Sequence, residues 1–446
     1  MNGFKKGTKI ALENGGKAEI ISLLGGGGQG DVYKVKLNKE EYALKWYKPQ
    51  YIKSLNEQNA KGWFMENLRQ NISKGPPNDK FIWPLYLSKE IKDSFGYIMK
   101  LRPSGYYDFT DIYCTHDKDG NKVGFKNVRA SVNSAINIVE AFKDLHRKGY
   151  TYLDLNDGNF FIDINNGDVL VCDNDNVTGD PRFNLGKPGY VAPELVRNDP
   201  GVNSSLLTDA HSLAVILFRL FMHHDPLMGR KFTISVCISP AKEFELYGGD
   251  PVFIFDPNDA SNRPVVNLHV NPLKLWPQYP AYVRDAFVKT LAKGMKEPAQ
   301  RLSESEWLKV LIRFRDEIIT CPACGATMLL TGMPDSKTVS CWRCRADYPF
   351  PYHLKFGDYR VLLFPGNELL HCHIFDGEDY STVLGQSVRS KKDPSRWGLM
   401  NLSNDSWRVT KPDGSADNVG KDGILVIAKG TKIEFPFDKT AVIDSK

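Results

Sequence analysis

The chain has 446 residues, 41% of them hydrophobic and 25% charged, with a formal net charge of +5. That length calls for two or three domains with sizeable cores, the composition excludes a disordered or low-complexity chain, and so slight a basic excess does not mark a nucleic-acid binder. No run reaches the roughly 18 apolar residues of a membrane span, and Met1-Asn-Gly-Phe-Lys-Lys-Gly7 leads into no apolar signal core, so a cytoplasmic protein is expected.

Residues 18–24 read as a strand running into a glycine cluster. Residues 31–37 and 41–47 alternate as strands, with Asn38-Lys39-Glu40 as their turn. Residues 54–72 have helical character and stop before Gly75-Pro76-Pro77. Strands are expected over 81–87 and 95–101, then a helix over 128–147 stopped by Gly149. Helical patterns dominate from there to about residue 318, including 212–222, interrupted by Arg219, and 304–319. Composition shifts at Thr320: residues 321–350 are held by cysteines, and 355–437 return to short apolar runs between Gly, Asp-Gly and Pro turns. The fold class expected is α+β, with a small lobe over about 1–101, a large lobe over about 102–318, a four-Cys zinc ribbon over 319–350 and a small all-β domain over 351–446.

Gly25-Gly-Gly27-Gly-Gln-Gly30-Asp-Val32 fits G-x-G-x-x-G-x-V, in which backbone N–H groups close over a triphosphate and Val32 covers an adenine. A plain hairpin explains that segment alone equally well. Ala43 and Lys45 on the next-but-one strand change the balance, because a buried lysine there holds α- and β-phosphates. Its carboxylate partner is expected at Glu66, with Glu57 as the other candidate. Met99, Lys100 and Leu101 complete the nucleotide set. Tyr152-Leu-Asp154-Leu-Asn-Asp-Gly-Asn159 has D-x4-N spacing, in which Asp154 would accept a substrate hydroxyl's proton and Asn159 would hold a magnesium ion. Asp173 follows the apolar strand 169–172, where a carboxylate reaches the ion bridging the phosphates. Then come Ala192-Pro193-Glu194 and Asp209. Any one of these Asp residues could be a turn or cap, but the ordered set is not explained that way.

With these motifs, residues 18 to about 315 resemble the eukaryotic-type serine/threonine protein kinases. The resemblance implies ATP with magnesium or manganese as cofactors, and γ-phosphoryl transfer to Ser or Thr of a protein, the chain itself included. Gly189-Tyr-Val-Ala-Pro-Glu194 resembles the substrate-binding end of the family's activation segment, and Arg301 the arginine that pairs with Glu194. The insertion over 247–264 is similar to bacterial kinases of tellurium-resistance-type stress gene clusters, which implies a metal-dependent phosphatase and a von Willebrand A protein as partners.

The chain departs from the family in several places. Leu153 replaces the arginine that clamps a phosphorylated loop, and Thr178 and Tyr190 are the hydroxyls between Asp173 and Glu194, so activation by loop phosphorylation is not expected. Asp173-Asn174-Asp175 replaces Asp-Phe-Gly; Asp175 either adds a metal ligand or faces solvent, the latter being preferred. The family's catalytic-loop lysine is Asn156 and the threonine of Gly-Thr-Pro is Lys187, which suggests that the cation has crossed the site and that Lys187 reaches the γ-phosphate. The alternative to an atypical enzyme is a nucleotide-binding pseudokinase scaffold; Ala192-Pro193-Glu194 and Arg301 disfavour a small-molecule phosphotransferase.

Cys321-x-x-Cys324 and Cys341-x-x-Cys344 have the spacing of a four-thiolate zinc site. The scattered Cys114, Cys172, Cys237 and Cys372 suit a reducing compartment. About thirty residues bury little core, so metal rather than packing should hold the ribbon; protein docking or spacing is expected of it rather than nucleic-acid binding. Residues 355–437 resemble a forkhead-associated β-sandwich, but Gln386 follows Gly385 where that family has its phosphate-reading arginine. Arg389, Lys391, Lys392 and Arg396 form a basic run that could take its place, a solvated loop being the preferred reading. His371-Cys372-His373 is rejected as a metal site, since alternate strand residues face opposite sides.

Overall fold

The computed structural model describes residues 3–181, 186–233, 238–330, 338–357, 359–375 and 377–445. Cys237, residues 182–185 and residues 331–337 lie outside these. The chain forms two compact units, one of residues 1–124, 137–276 and 287–304, the other of 125–136, 277–286 and 305–446.

The first unit opens with β1 (Lys9–Ala11), β2 (Lys17–Gly26), β3 (Gly30–Leu37), β4 (Glu40–Tyr47), β5 (Pro84–Leu87) and β6 (Gly96–Met99), in one antiparallel sheet ordered β1-β2-β3-β4-β6-β5. In the β3–β4 turn Asn38 and Lys39 take positive φ, 50° and 74°, the geometry whose twist suits a two-residue hairpin. The single helix expected over 54–72 is instead two, α1 (Pro49–Glu57) and α2 (Lys61–Lys74). They are separated because Asn59 turns left-handed at φ 53° and the Ala60 N–H bonds the Leu55 carbonyl at 2.7 Å. Ile52, Leu55, Phe64 and Leu68 from these helices pack with Tyr47, Phe95 and Tyr97 of the sheet side.

The same unit continues with β7 (Tyr106–Asp108), α3 (Phe109–Cys114), α4 (Val128–Arg147, from residue 137), β8 (Thr151–Tyr152), β9 (Phe160–Asp163), β10 (Val169–Val171), β11 (Val177–Thr178), α5 (Pro193–Val196) and α6 (Leu206–Met222). β10-β9-β7 and β11-β8 form small antiparallel sheets. Ser205 and Thr208 cap α6 reciprocally, and the helix is buried without a break from Thr208 to Phe218, as a helix apolar on all sides must be. The insertion after Tyr247 packs into this unit: Phe253 and Ile254 are fully buried, and the Asn262 amide donates to the Leu227 and Val252 carbonyls at 2.8 and 2.7 Å.

In the second unit the helix expected over 304–319 ends at Asp316, and β12 (Ile318–Thr320) pairs with β13 (Thr327–Leu329). β14 (Thr338–Ser340) pairs with β15 (Asp347–Pro349). Ten further strands follow: β16 (His353–Phe356), β17 (Tyr359–Leu362), β18 (Glu368–Leu370), β19 (Val383–Arg389), β20 (Trp397–Asn401), β21 (Trp407–Thr410), β22 (Ala416–Val419), β23 (Ile424–Val426), β24 (Lys432–Phe435) and β25 (Lys439–Asp444). They make a six-stranded sheet, β17-β16-β25-β24-β21-β22, and a four-stranded one, β18-β19-β20-β23. Leu354, Trp407 and Ile433 from the first and Leu369, Leu399 and Leu425 from the second share one core, so this region is a β-sandwich.

Two expectations need correction here. Residues His371–Ile374 form a helical turn, not a strand; the His373 Nδ1 accepts the Leu370 N–H at 3.0 Å and its Nε2 lies 2.9 Å from Asp316. The cysteine hairpins are not without a core either: Ile319, Met328, Val339 and Tyr348 cluster with Phe364, against which Trp397 also packs. Among the described residues no helix is long and apolar enough to cross a membrane.

Candidate active site

The glycines between β2 and β3 do different jobs. A Cβ on Gly30 would sit 2.7 Å from the Trp46 carbonyl, so only glycine fits there, whereas Gly25 and Gly27 border open space. A 2.8 Å bond from the Gly27 N–H to the Gly30 carbonyl closes the tip, and Lys48 donates to the Gly27 carbonyl at 2.6 Å. Val32, Ala43, Met99 and Leu101 join Phe161, Leu170 and Cys172 in one apolar cluster, a lining suited to a flat aromatic ring. Lys100 is exposed beside it. Sequence reasoning missed Phe161, Leu170 and Cys172; the apolar strand leading to Asp173 carried the signal for the last two.

Sheet register sets the surroundings of Lys45. It pairs with Tyr97 across β4–β6, and Tyr47, two residues along, shares its face. Lys45 is 4% exposed and donates to both carboxylate oxygens of Asp175 at 3.1 and 3.0 Å and to Gln29 of the glycine loop at 3.2 Å. Its ammonium lies 3.3 Å from Asp173. The Tyr47 and Tyr97 hydroxyls donate to Asp175 at 2.6 and 3.3 Å. Burial disfavours the Lys45 charge, but Asp175 and then Asp173 outweigh it and raise its pKa above the ordinary value.

Neither expected partner of Lys45 is in place. Glu66 is exposed, taking a 3.5 Å bond from Gln70 and lying 3.7 Å from Arg69, because α2 turns Phe64, Met65, Asn67, Leu68 and Asn71 inward instead. Glu57 sits beside Lys53 at 3.7 Å in solvent. Asp175, read as solvent-facing, is 1% exposed.

Asp154 sits at the mouth of a tight loop. The Asn156 amide donates to the Asp154 side chain and carbonyl at 3.1 and 3.0 Å, while the Asn159 side chain accepts the Asn156 N–H at 2.7 Å. Burial pushes the Asp154 carboxyl up to about 6, against the lowering bond from Asn156. A 2.8 Å bond from the Cys172 N–H to the Asn159 carbonyl brings that loop beside Asp173, whose left-handed backbone, φ 55°, leaves its carboxylate 41% exposed. Asn174 is buried and donates to the Ile82 and Val171 carbonyls at 3.0 and 2.9 Å, filling with hydrogen bonds the place where the resembled family has phenylalanine. Lys187 is 59% exposed and lies 3.5 Å from Asp157.

Buried ion pairs brace these loops. Arg301 donates to both Glu194 oxygens at 2.6 and 2.8 Å, a bidentate form of the pairing that the family resemblance implies; breaking such a pair costs about 3–5 kcal/mol. His146 bridges Asp209 at 3.0 Å and Glu304 at 2.7 Å; burial opposes its charge, but the two carboxylates prevail and raise its pKa to about 9. Asp209 also accepts the Tyr152 N–H at 2.8 Å. Arg219 reaches the Tyr190 hydroxyl at 2.5 Å and pairs with Asp225. Thr178 and Tyr190 are both buried.

In the second unit the thiols of Cys321, Cys324, Cys341 and Cys344 all lie within 4.8 Å of one another, with Cys321–Cys344 and Cys324–Cys341 at 3.6 Å. Tetrahedral zinc with Zn–S near 2.3 Å requires sulfurs about 3.8 Å apart. Each pair sits on the same kind of turn: Cys321 and Cys341 accept from Gly325 and Arg345 at 2.9 Å, residues at φ 71° and 62°. Four soft thiolates in this geometry fit a structural zinc ion.

A family model for the protein kinase domain matches residues 18–247. The eIF-2-alpha kinase GCN2 of Schizosaccharomyces pombe is 32% identical over 125 residues, which cover 24% of this chain and 8% of that protein.

Proposed function

The chain belongs to the protein kinase family, and on that premise we propose that it transfers the γ-phosphoryl group of ATP to a serine or threonine hydroxyl of a protein, through an atypical active site. The observation that carries this reading is the convergence of Lys45, Asp173 and Asp175 beneath the glycine loop, with Asn159 bonded alongside.

In this reading Gly25, Gly27 and Gly30 bring the loop's backbone over the phosphates, and Val32, Ala43, Met99, Lys100 and Leu101 border the adenine. Lys45 orients the α- and β-phosphates. Asn159 and the half-exposed carboxylate of Asp173 offer the hard oxygen ligands that suit magnesium or manganese; such an ion neutralises charge on the β- and γ-phosphates. Asp154 accepts the proton of the attacking hydroxyl, and Asn156 fixes its carboxylate. Lys187, half free in solvent, reaches the γ-phosphate in place of the missing catalytic-loop lysine. The zinc ribbon and β-sandwich serve to recruit protein partners, for which the phosphatase and von Willebrand A protein of tellurium-resistance-type clusters are our candidates.

The acceptor is tested by incubating the full chain with γ-labelled ATP, a divalent ion and a generic basic protein, then identifying the phosphorylated amino acids after acid hydrolysis. Phosphoserine and phosphothreonine are expected. Phosphotyrosine alone would rule out the Ser/Thr assignment.

A further inference from the structure

Helix α2 presents no carboxylate to Lys45, yet the lysine is fully engaged. Its partner, Asp175, receives donors from three strand positions: Lys45 and Tyr47 from one face of β4, and Tyr97 opposite Lys45 on β6. A carboxylate held by two hydroxyls as well as an ammonium cannot rotate without breaking several bonds, so it fixes where the ammonium stands. The helix is tied in by another route. Asn67 and Asn71, one turn apart on its buried face, both donate to the Val177 carbonyl at 2.8 Å, two residues beyond Asp175. The Asn71 carbonyl in turn accepts the Trp83 indole N–H at 2.8 Å.

We propose that Asp175 is the positioning residue for Lys45, doing from the loop after β10 the work otherwise expected of an acidic residue on α2, and that α2 acts on the site without a charge of its own, through the Asn67–Asn71 clamp on Val177 and the packing of Phe64 on Tyr47. This rests on the kinase reading and deepens it. The lysine's anchor and Asp173 then belong to one short turn, 173–176.

The test uses the full chain and steady-state kinetics in ATP, with a fluorescent ATP analogue for affinity and thermal melting as the check on folding. Asp175→Asn is expected to lower kcat/KM about 100-fold, the scale of a misplacement of about 1 Å. Glu66→Ala is expected to stay within about twofold. In the Lys45→Met background, Asp175→Asn should weaken analogue binding no further, because a residue acting through Lys45 has nothing left to position. Should Asp175→Asn fail to fold, Tyr47→Phe combined with Tyr97→Phe removes two of the donors while keeping the rings, and is expected to cost about tenfold; unchanged kinetics in that variant would overturn the proposal. So would Glu66→Ala costing as much as Asp175→Asn, or additive losses in the Lys45→Met background. A wild-type chain that neither binds nor turns over ATP would remove the kinase reading and this inference with it. An active wild type matched by a folded Asp175→Asn would remove this inference alone.

Discussion

Chelating zinc, or replacing Cys341 with serine, is expected to unfold the two hairpins that carry the cysteines. Structural zinc contributes about 10–16 kcal/mol to isolated cysteine-ligated modules. Here the loss should fall at the lower end, since Tyr348 packs on Phe364 and Trp397 packs on Phe364 from the sandwich, a contact the metal does not supply. What remains without zinc is four strands of three residues each around the small cluster of Ile319, Met328, Val339 and Tyr348, and such short hairpins are marginal alone. Hydrogen exchange reads the effect directly: amides of β12–β15 should lose protection on metal removal, while those of β16, β24 and β25, in the six-stranded sheet, should keep most of theirs. One zinc per chain by elemental analysis is expected. A metal-free chain with equally protected hairpins would show that packing holds the module.

Replacing Asp154 with asparagine is expected to lower kcat/KM about 100- to 10,000-fold, the range of a lost general base. The same residue sets a pH dependence. Burial raises its carboxyl to about 6, and only the ionised form accepts a proton. In the free enzyme the group is ionised above that value and protonates as pH falls through it, so kcat/KM should be level in mild alkali and drop toward tenfold per pH unit below about 6. Asp154→Asn should remove that acid limb along with most of the rate. An acid limb that persists in the variant would assign the titration to another group.

The candidate site was legible where chemistry dictates residue type at fixed spacing: the glycine run, Lys45, Asp154, Asn159 and Asp173 follow in order, as do Glu194 and Arg301. The two cysteine pairs were legible for the same reason, and the structure draws their thiols together. The partner of Lys45 was not. A helix after the lysine strand invites an acid on it, but which face α2 buries depends on the break at Asn59, and that left-handed turn leaves no periodic signal. From the sequence Asp175 reads as solvent-facing, because the direction of its side chain depends on the left-handed φ of Asp173. The cross-strand register that sets Tyr97 against Lys45 is likewise a tertiary fact. A signal did exist on α2: Asn67 and Asn71 stand at inward positions beside Phe64 and Leu68, and polar side chains there need buried partners. The short turn at His371–Ile374 fell to the same limit, since four residues are too few to separate a strand from one helical turn.

In the proposed function the Lys45, Asp154, Asn159 and Asp173 constellation performs phosphoryl transfer despite its departures from the family pattern. Incorporation of γ-phosphate label into protein by the wild-type chain is to be compared with that by Asp154→Ala, with a divalent ion present and ATP binding verified in both. Label in the wild type that vanishes in the variant is the predicted result. ATP bound by both chains with no label in either would contradict the claim and make the protein a nucleotide-binding scaffold.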